Sequence, residues 1–491
     1  MTVVAFGVFV AADDLMVVAT MLRPMINDFR LVLPDDLDEA AWIVNVYLIA
    51  YIAVMPVAGR LSDVVGRRAV FVGALAVFLA GSVVVPAAGT LPVLLVGRVL
   101  TAVGGGALVP LAFAVASDLY SGPPRAKALG LLGAIETIGW IWGPLYGAIL
   151  VRFLSWQWQF HLNIPLAVLG MIAGWRVLGP ARRTGRHVDW LGAATLSAGL
   201  VALNVALLSG ARIQTVTGLD ELTDSGGNGL AGPWLYAVAA GAFALFVWHE
   251  RRTGEPMLSP QLVRGRSVVA ALGINGLVGA GLVIALINVP LFVNIVERDV
   301  ERSAVLSGWL LTALTATMAV TSYVGGTTSG RLGYRPPTVA GLALGGVGLL
   351  LMGSVWGAGT ATPIMAVQLG LVGAGIGLVL APTSTAVVDA ASDDHRGTAA
   401  GLVIMARLIG FSVGLAGLTA WGLRRYDQMR GEVELPPIDD PGYADALNEA
   451  TVEVSTAALS ETFVGAAIAV LAAIAAAALL TERNAERSIS R

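Results

Sequence analysis

Fourteen apolar segments of membrane-spanning length dominate the chain and leave few alternatives for its fold. A hydrocarbon core about 30 Å thick requires about 20 apolar residues in an α-helix. Because a backbone facing lipid must satisfy its own polar groups, such segments predict helices rather than open strands. The predicted spans are residues 3–22, 41–58, 69–88, 92–116, 126–150, 159–178, 189–209, 231–249, 267–295, 303–328, 337–356, 361–388, 398–421 and 457–481.

The composition agrees with an all-α integral membrane protein and argues against several other classes. Of the 491 residues, 56% are hydrophobic and 13% are charged, and the mean hydropathy is +0.78. So few charges cannot cover the surface of a soluble protein of this length. The net charge of −3 argues against a nucleic-acid partner. The chain has no cysteine, and its four histidines have no ligand-spaced neighbours. We therefore expect neither a metal site nor a cofactor.

The distribution of basic residues predicts the orientation in the membrane. With the N-terminus inside, 19 Lys and Arg residues fall in inward-facing segments and 9 fall in outward-facing ones. Basic residues favour the cytoplasmic side, so both termini are predicted to lie inside. The first apolar segment contains Asp13 and Asp14 and follows no basic run. It is therefore predicted to be a retained first span rather than a cleaved signal peptide.

A charged loop between the second and third spans carries a glycine-bounded pattern. The stretch from Gly59 to Arg68 reads Gly-Arg-Leu-Ser-Asp-Val-Val-Gly-Arg-Arg. Gly59 and Gly66 permit close backbone approach and positive φ. Asp63 can pair with an arginine or cap the next helix, whose N-terminus favours a carboxylate. The charge distribution places this loop on the cytoplasmic face.

A degraded copy of the same loop follows the tenth span and indicates an internal repeat. Residues 326–335 read Gly-Thr-Thr-Ser-Gly-Arg-Leu-Gly-Tyr-Arg, with Gly330 at the position of Asp63. The copies lie eight spans apart. Two six-helix halves with two helices inserted between them would produce this separation. We therefore expect an N-terminal bundle over 1–180, a two-helix insertion over 181–262 and a C-terminal bundle over 263–491.

The loop pattern, which includes Arg67, resembles the cytoplasmic-loop signature of the major facilitator superfamily. The resemblance implies two parallel-related bundles and transport by alternating access. The arrangement of six, two and six helices is similar to the fourteen-helix drug:proton antiporter branch. Gly139, Gly143, Pro144 and Gly147 resemble that branch's antiporter motif in the fifth span. Glycines four residues apart form a close-packed helix face, and a proline removes one backbone hydrogen bond, so a pivot and tight packing are both open.

Five charged residues lie inside predicted spans, where a charge facing lipid is costly. A charge at the centre of a helix costs about 2.5–3.5 kcal/mol on insertion scales. We therefore expect these side chains to face a cavity or one another. A carboxylate pair facing an arginine across a central cavity suits a proton-coupled switch, whereas the simpler interpretation is a structural ion pair. The five residues are Asp13, Asp14, Arg98, Glu136 and Arg407. Arg98, followed by Gly104–Gly106, also resembles a family motif of the fourth span.

Further segments resemble a group of mycobacterial triacylglyceride exporters within this branch. They are residues 42–44, 47–48, 51–53, 55–56, 143–147, 406–407 and 420–423. The resemblance implies lipid export driven by the proton gradient across a bacterial inner membrane. It also implies a lipid-carrying lipoprotein as a periplasmic partner. It assigns the ionisable trio to Asp13, Glu136 and Arg407, with Asp14 as an additional acid. The alternatives are a multidrug:proton antiporter for hydrophobic cations and a non-transporting receptor or scaffold.

The longest loop, residues 423–456, is predicted to be a helical extension on the outer side. No proline occurs from Thr398 to Met429 or from Tyr443 to Leu480. Helices of these lengths would measure about 48 and 57 Å, more than a hydrocarbon core about 30 Å thick. Prolines at 436, 437 and 441 separate the two helices. The alternative is a disordered acidic loop.

Overall fold

The computed structural model contains fourteen helices among the residues that it describes. These residues are 1–31, 37–179, 188–210, 234–254, 256–257, 262, 264–297, 299–392, 395–433, 436–437 and 440–480. The helices are α1 (Thr2–Asp28), α2 (Leu37–Val65), α3 (Arg67–Val84), α4 (Leu91–Leu119), α5 (Pro123–Phe153), α6 (Gln157–Val177), α7 (Trp190–Gly210), α8 (Trp234–Glu250), α9 (Arg266–Val296), α10 (Val300–Leu332), α11 (Arg335–Val355), α12 (Thr362–Ala390), α13 (Arg396–Gly431) and α14 (Tyr443–Ala477). Each predicted span corresponds to one of them.

Eleven of these helices are long and apolar enough to cross a membrane, judged on the described residues alone. No strand occurs in the described part of the chain. Large apolar side chains are exposed on the bundle, including Trp309 and Phe153, each 71% exposed. A lipid-facing surface accounts for such exposure, because the hydrocarbon core replaces water as the solvent. The prediction of an all-helical integral membrane fold is confirmed at this level.

Helix starts follow from local backbone chemistry at one end of the bundle. Gly66 adopts φ 104° immediately before α3, and Gly122 adopts φ 65° immediately before α5. Both values favour glycine, because a Cβ would be strained there. Pro123 opens α5, where its missing N–H has no intrahelical partner to lose. These turns lie at the end of the bundle that carries residues 59–68, which we call the motif end.

The packing of the first six helices is repeated by the last six. The pairs α1–α5, α2–α4, α3–α4 and α3–α6 correspond to α9–α13, α10–α12, α11–α12 and α11–α14. The pairs α1–α4 and α1–α6 likewise correspond to α9–α12 and α9–α14. Similar sequence halves therefore produce similar helix neighbours, as the degraded loop copy led us to expect. We call α1–α6 and α9–α14 the two halves.

Two helix pairs make the most extensive contacts between the halves, and close contacts between small residues allow both. Helix α2 packs on α13, and α5 packs on α10. At the motif end a Cβ at Gly59 would collide with the backbone of Gly397. A Cβ at Gly130 would lie 2.7 Å from the carbonyl oxygen of Ser322. Small residues let membrane helices approach closely, so these contacts hold the halves together at this end.

The inserted helices α7 and α8 pack against each other, and α7 contacts both halves. The Ser197 hydroxyl donates to the carbonyl oxygen of Ala53 in α2 at 3.1 Å. The Ser412 hydroxyl of α13 donates to the amide oxygen of Asn204 in α7 at 2.6 Å. Helix α7 therefore bridges α2 and α13 through polar contacts within an otherwise apolar surface.

Helices α13 and α14 are longer than a membrane requires, as predicted from their sequence. They contain 36 and 35 residues, or about 54 and 52 Å of helix. Arg425 holds them together by donating to both carboxylate oxygens of Glu461, at 2.6 and 2.8 Å. Tyr443 and Ala450 are half-buried, whereas Leu447 is exposed. This face of α14 is thus only partly covered.

Candidate functional site

The five charged residues predicted at mid-span are all buried, but they form separate sites rather than one. Neighbouring residues of a helix point about 100° apart, so Asp13 and Asp14 of α1 face different partners. Both aspartates and Glu136 are less than 10% exposed, as are Arg98 and Arg407. The expectation that these charges face protein rather than lipid agrees with this burial.

Asp14 pairs with Arg98 inside the first half. Arg98 Nη1 donates to Asp14 Oδ2 at 3.1 Å, and Asn163 Nδ2 donates to Asp14 Oδ1 at 3.2 Å. The Arg98 guanidinium also lies 4.1 Å from the centroid of the Tyr47 ring. Helices α1, α2, α4 and α6 therefore each contribute one side chain to a single ionic cluster. A charge pair with both members on the same half need not break when the halves move.

Glu136 pairs with Arg407 across the two halves. Arg407 Nη2 donates to Glu136 Oε1 at 2.8 Å and to Oε2 at 3.0 Å. The Arg407 guanidinium lies 5.7 Å from the Trp140 ring centroid, and Trp140 packs against Phe411 at 6.2 Å. Glu136 and Trp140 belong to α5, while Arg407 and Phe411 belong to α13. This pair therefore joins the halves at mid-depth.

Asp13 does not share Arg407 with Glu136, contrary to the expected carboxylate pair facing one arginine. Its carboxylate accepts a hydrogen bond from Gln159 Nε2 at 2.9 Å. No ion pair forms between Asp13 and a described side chain. The trio of Asp13, Glu136 and Arg407 is therefore divided between two places in this conformation.

The glycines of the antiporter motif bring α5 close to α1 beside these acids. A Cβ at Gly139 would lie 2.7 Å from the Cβ of Ala12. A Cβ at Gly143 would lie 2.8 Å from the carbonyl oxygen of Asp13. Gly147 is buried on the same helix, and the side chain of Pro144 lies outside the described residues. Gly139 and Gly143 therefore allow α5 to pack tightly against α1.

The charged loop fixes the motif end through Asp63. Asp63 Oδ1 accepts from the backbone N–H of Gly397 at 3.0 Å, and Oδ2 accepts from that of Thr398 at 3.1 Å. Asp63 therefore caps α13 of the other half, not the next helix α3 as the sequence suggested. A helix N-terminus attracts a carboxylate because its first N–H groups and dipole carry positive charge. Arg67 adds the predicted pairing with Asp63, at 2.6 Å.

The remaining basic residues of the loop extend this network. Arg67 also contacts Asp118 at the end of α4, at 2.9 Å. Arg396, the first residue of α13, approaches the same Asp118 at 3.5 Å. Arg68 donates to the carbonyl oxygen of Leu178 and lies over the Trp175 ring. The network links three helices of the first half to one of the second.

The degraded loop copy is accompanied by a second network that sequence reasoning missed. Arg125 at the start of α5 pairs with Asp389 at the end of α12 in the other half. The Tyr334 hydroxyl donates to Asp389 Oδ2 at 2.6 Å. Gly330, which replaces an aspartate, packs against Pro123 instead. The symmetry of the halves could have pointed to Asp389, because α12 corresponds to α4 and its Asp118.

The two amides on α6 were also missed as members of the buried charge sites. Gln159 and Asn163 are four residues apart and face α1. Their spacing in an otherwise apolar span was the available signal, because residues i and i+4 share a helix face.

The fold and these sites define a class of protein: a multi-pass transporter of two similar helical halves with charged contacts between them. Residues 4–415 match the sequence model of the Major Facilitator Superfamily. The chain belongs to the Major Facilitator Superfamily, and it is a membrane transporter rather than an enzyme.

Individual relatives agree with this assignment. A triacylglyceride transporter of Mycolicibacterium smegmatis is 32% identical over 91% of this chain and 79% of its own length. One from Mycobacterium tuberculosis is 33% identical over 87% and 82%, respectively. The crystal structure of the human organic anion transporter MFSD10 superposes with a TM-score of 0.63, 16% identity and coverage of 97% and 98%. At that identity the structural likeness concerns the fold alone.

Proposed function

We propose that this transporter exports triacylglyceride-like lipids across a bacterial inner membrane in exchange for protons, by alternating access. The observation that carries this proposal is the buried Glu136–Arg407 pair, which joins the two halves at mid-depth. Any separation of the halves at this level must break the pair. The lipid substrate is suggested by relatives named as triacylglyceride transporters.

The pair gives protons a way to influence that separation. Two buried charges attract each other strongly, and removing one partner leaves an uncompensated charge. A proton on Glu136 cancels its negative charge and so weakens the contact that holds the halves together. Opening would then be favoured in the protonated state, and closure at this level in the deprotonated state. Such differential binding of a ligand to two conformations is what shifts a conformational equilibrium.

The proposed orientation places the motif end in the cytoplasm, with fourteen membrane spans. The basic residues favour this arrangement. The contacts of Asp63, Gly59 and Arg125 with the other half then close the cytoplasmic end. In this interpretation the described conformation is outward-facing, the two bundles extend over 1–180 and 263–491, and residues 181–262 form the inserted pair.

The long helices α13 and α14 support a lipid rather than a small drug as the substrate. Their length exceeds the hydrocarbon core by about 20 Å each, so residues 423–456 would project from the outer face. A projection of this kind would shield an acyl chain that leaves the cavity or contact a lipid-carrying lipoprotein.

Reconstituted vesicles with and without a pH gradient test the function. We expect the wild type to move labelled triacylglyceride when a gradient is present, and the Glu136→Gln variant to lose gradient-driven movement. Gln157→Leu is the control, because Gln157 contacts Asp28 at the helix end instead of the buried charges. Ethidium transport without lipid transport would favour the multidrug antiporter, and movement of neither would show that the substrate belongs to another chemical class.

A shortened projection tests the assignment of the substrate. Replacing residues 426–453 by a short linker removes the ends of both helices but keeps Glu461 and most of the bundle. We expect the variant to fold and to lose most of its lipid transport. Normal lipid transport by the shortened protein would remove any role of the projection in export.

A further inference from the structure

The inserted helix α8 carries a groove that has no part in the charged sites between the halves. The groove has a volume of about 510 Å³ and is open to its surroundings. Its lining residues are Phe243, Ala244, Val247, Trp248, Arg251 and Arg252. These positions recur every three to four residues, so they share one side of the helix. Binding sites for small molecules have volumes of about 300–1,000 Å³, and this groove falls within that range.

The groove lies at the motif end of the bundle. His249, near the end of α8, contacts Asp189, immediately before α7, at 2.9 Å. Helix α13 begins at the motif end, and its Ser412 contacts Asn204 of α7. Both of these residues lie about four turns after the start of their helices, so α7 begins at the motif end as well. The end of α8 beside it therefore faces the same membrane surface.

Two arginines form the polar end of the groove. Arg251 and Arg252 are exposed, and no acidic side chain among the described residues forms an ion pair with either. The neighbouring Glu250 is buried, and Asp189 contacts His249 instead. Arg252 Cζ lies 4.3 Å from the centroid of the Trp248 ring. Contact of this kind uses the flat face of a guanidinium, so its N–H edge can still bind an anion.

The rest of the groove is apolar and runs along the spanning part of α8. We call Phe243, Ala244 and Val247 the apolar floor. Phe243 lies nine residues before Arg252, or about 14 Å along the helix axis. Phe243 also packs against α7, where a Cβ at Gly199 would lie 2.9 Å from its ring. A cationic end at the membrane surface followed by an apolar floor matches the two parts of a phospholipid, its phosphate and its acyl chain.

We propose that this groove binds an anionic phospholipid, with the phosphate at the two arginines and an acyl chain along the apolar floor. Guanidinium groups bind phosphate through paired N–H donors. Basic pockets beside membrane helices bind anionic head groups in this way. A zwitterionic lipid would bring its own ammonium group to the arginines, so the groove favours the anionic lipid. The proposed orientation makes this the cytoplasmic leaflet, but the binding depends neither on the orientation nor on the transported substrate.

Native mass spectrometry of the delipidated protein in detergent measures this binding. We expect dioleoyl phosphatidylglycerol to bind at least about tenfold more tightly than dioleoyl phosphatidylcholine. Arg251→Gln with Arg252→Gln should weaken binding of phosphatidylglycerol about 30-fold, or about 2 kcal/mol, because two cationic groups at the membrane surface are lost. Arg331→Gln with Arg335→Gln is the control. It removes the same charge from two exposed arginines at the motif end that do not line the groove.

A substitution that keeps the charge tests the apolar floor. Ala244→Trp fills the floor and should abolish most of the binding of phosphatidylglycerol. Ala237→Trp is the matched control, because Ala237 is also exposed on α8 but lies about two turns away, outside the groove. Soluble glycerol 1-phosphate should compete poorly, since it has no acyl chain. Equal affinity for the two lipids, an arginine variant no weaker than its control, an Ala244→Trp variant with normal binding, or full competition by glycerol 1-phosphate would each overturn the site.

Discussion

Two buried arginine–acid pairs at similar depth differ in their relation to the two halves. Arg98 and Asp14 lie within the first half, at 3.1 Å. Arg407 and Glu136 lie on opposite halves, at 2.8 Å. Burial and separation are alike, so neither property distinguishes a structural ion pair from a switch. The difference is that only the second pair must break when the halves separate, and this decides where the cost of its loss appears.

Losing an ion pair can change either the free energy of unfolding or the free-energy difference between two folded conformations. Removing one partner of a buried ion pair costs about 3–5 kcal/mol, because the other charge stays buried and uncompensated. If the pair exists in every folded conformation, this cost lowers the free energy of unfolding. If the pair exists in one conformation only, the cost disfavours that conformation and shifts the population to the other.

The largest expected effect is a loss of stability in Asp14→Asn. Arg98 remains buried on α4 with its charge uncompensated in every conformation, so we expect the free energy of unfolding to fall by about 3–5 kcal/mol. Thermal unfolding in detergent measures the change. Asp118→Asn is the control, because that carboxylate is 38% exposed and should cost far less. Equal melting temperatures for Asp14→Asn and the wild type would show that the first pair is not structural.

The next effect is a shift of conformation in Glu136→Gln. Opening relieves the uncompensated Arg407, so we expect the ratio of closed to open molecules at the motif end to fall about 100-fold, or about 2.7 kcal/mol. The chain has no cysteine, so Lys127→Cys with Tyr323→Cys gives a background-free cross-linking reporter between the halves. Unchanged cross-linking together with a large fall in melting temperature would show that this pair is structural too. The two ion pairs would then not differ in function.

The sequence determined the elements more completely than their contacts. The fourteen helices follow from apolar segment length, and the starts of α3 and α5 follow from Gly66 and Pro123. The contacts depend on helix rotation and on residues distant in the chain. Glu136 and Arg407 are 271 residues apart, and Asp63 and Gly397 are 334 apart. Rotation also divides the predicted trio, because Asp13 faces Gln159 of α6 whereas Glu136 of α5 faces Arg407 of α13.

A smaller shift of conformation is expected for Asp63→Ala at the motif end. The substitution removes a carboxylate from the N-terminus of α13, where such an interaction is worth up to about 2 kcal/mol when partly buried. We expect the closed population to fall about tenfold, with little change in unfolding, because Asp63 contacts the other half. The same cysteine reporter measures it. A shift as large as that of Glu136→Gln would mean that the loop, rather than the mid-depth pair, controls closure.

The smallest effect is expected at the second network, in Tyr334→Phe. This substitution removes one hydrogen bond to Asp389 and leaves the pairing of Asp389 with Arg125 in place. A single hydrogen bond contributes about 0.5–1.5 kcal/mol net, which corresponds to a change of about two- to tenfold in population. Both Tyr334 and Asp389 belong to the second half, so the hydroxyl acts by orienting the carboxylate rather than by joining the halves. We therefore expect the cross-linked fraction to fall only slightly, and Asp389→Asn to lower it more. If Tyr334→Phe opened the motif end as far as Asp389→Asn, the orientation of Asp389 would matter as much as its charge. A contact within one half would then affect closure as strongly as a contact between the halves.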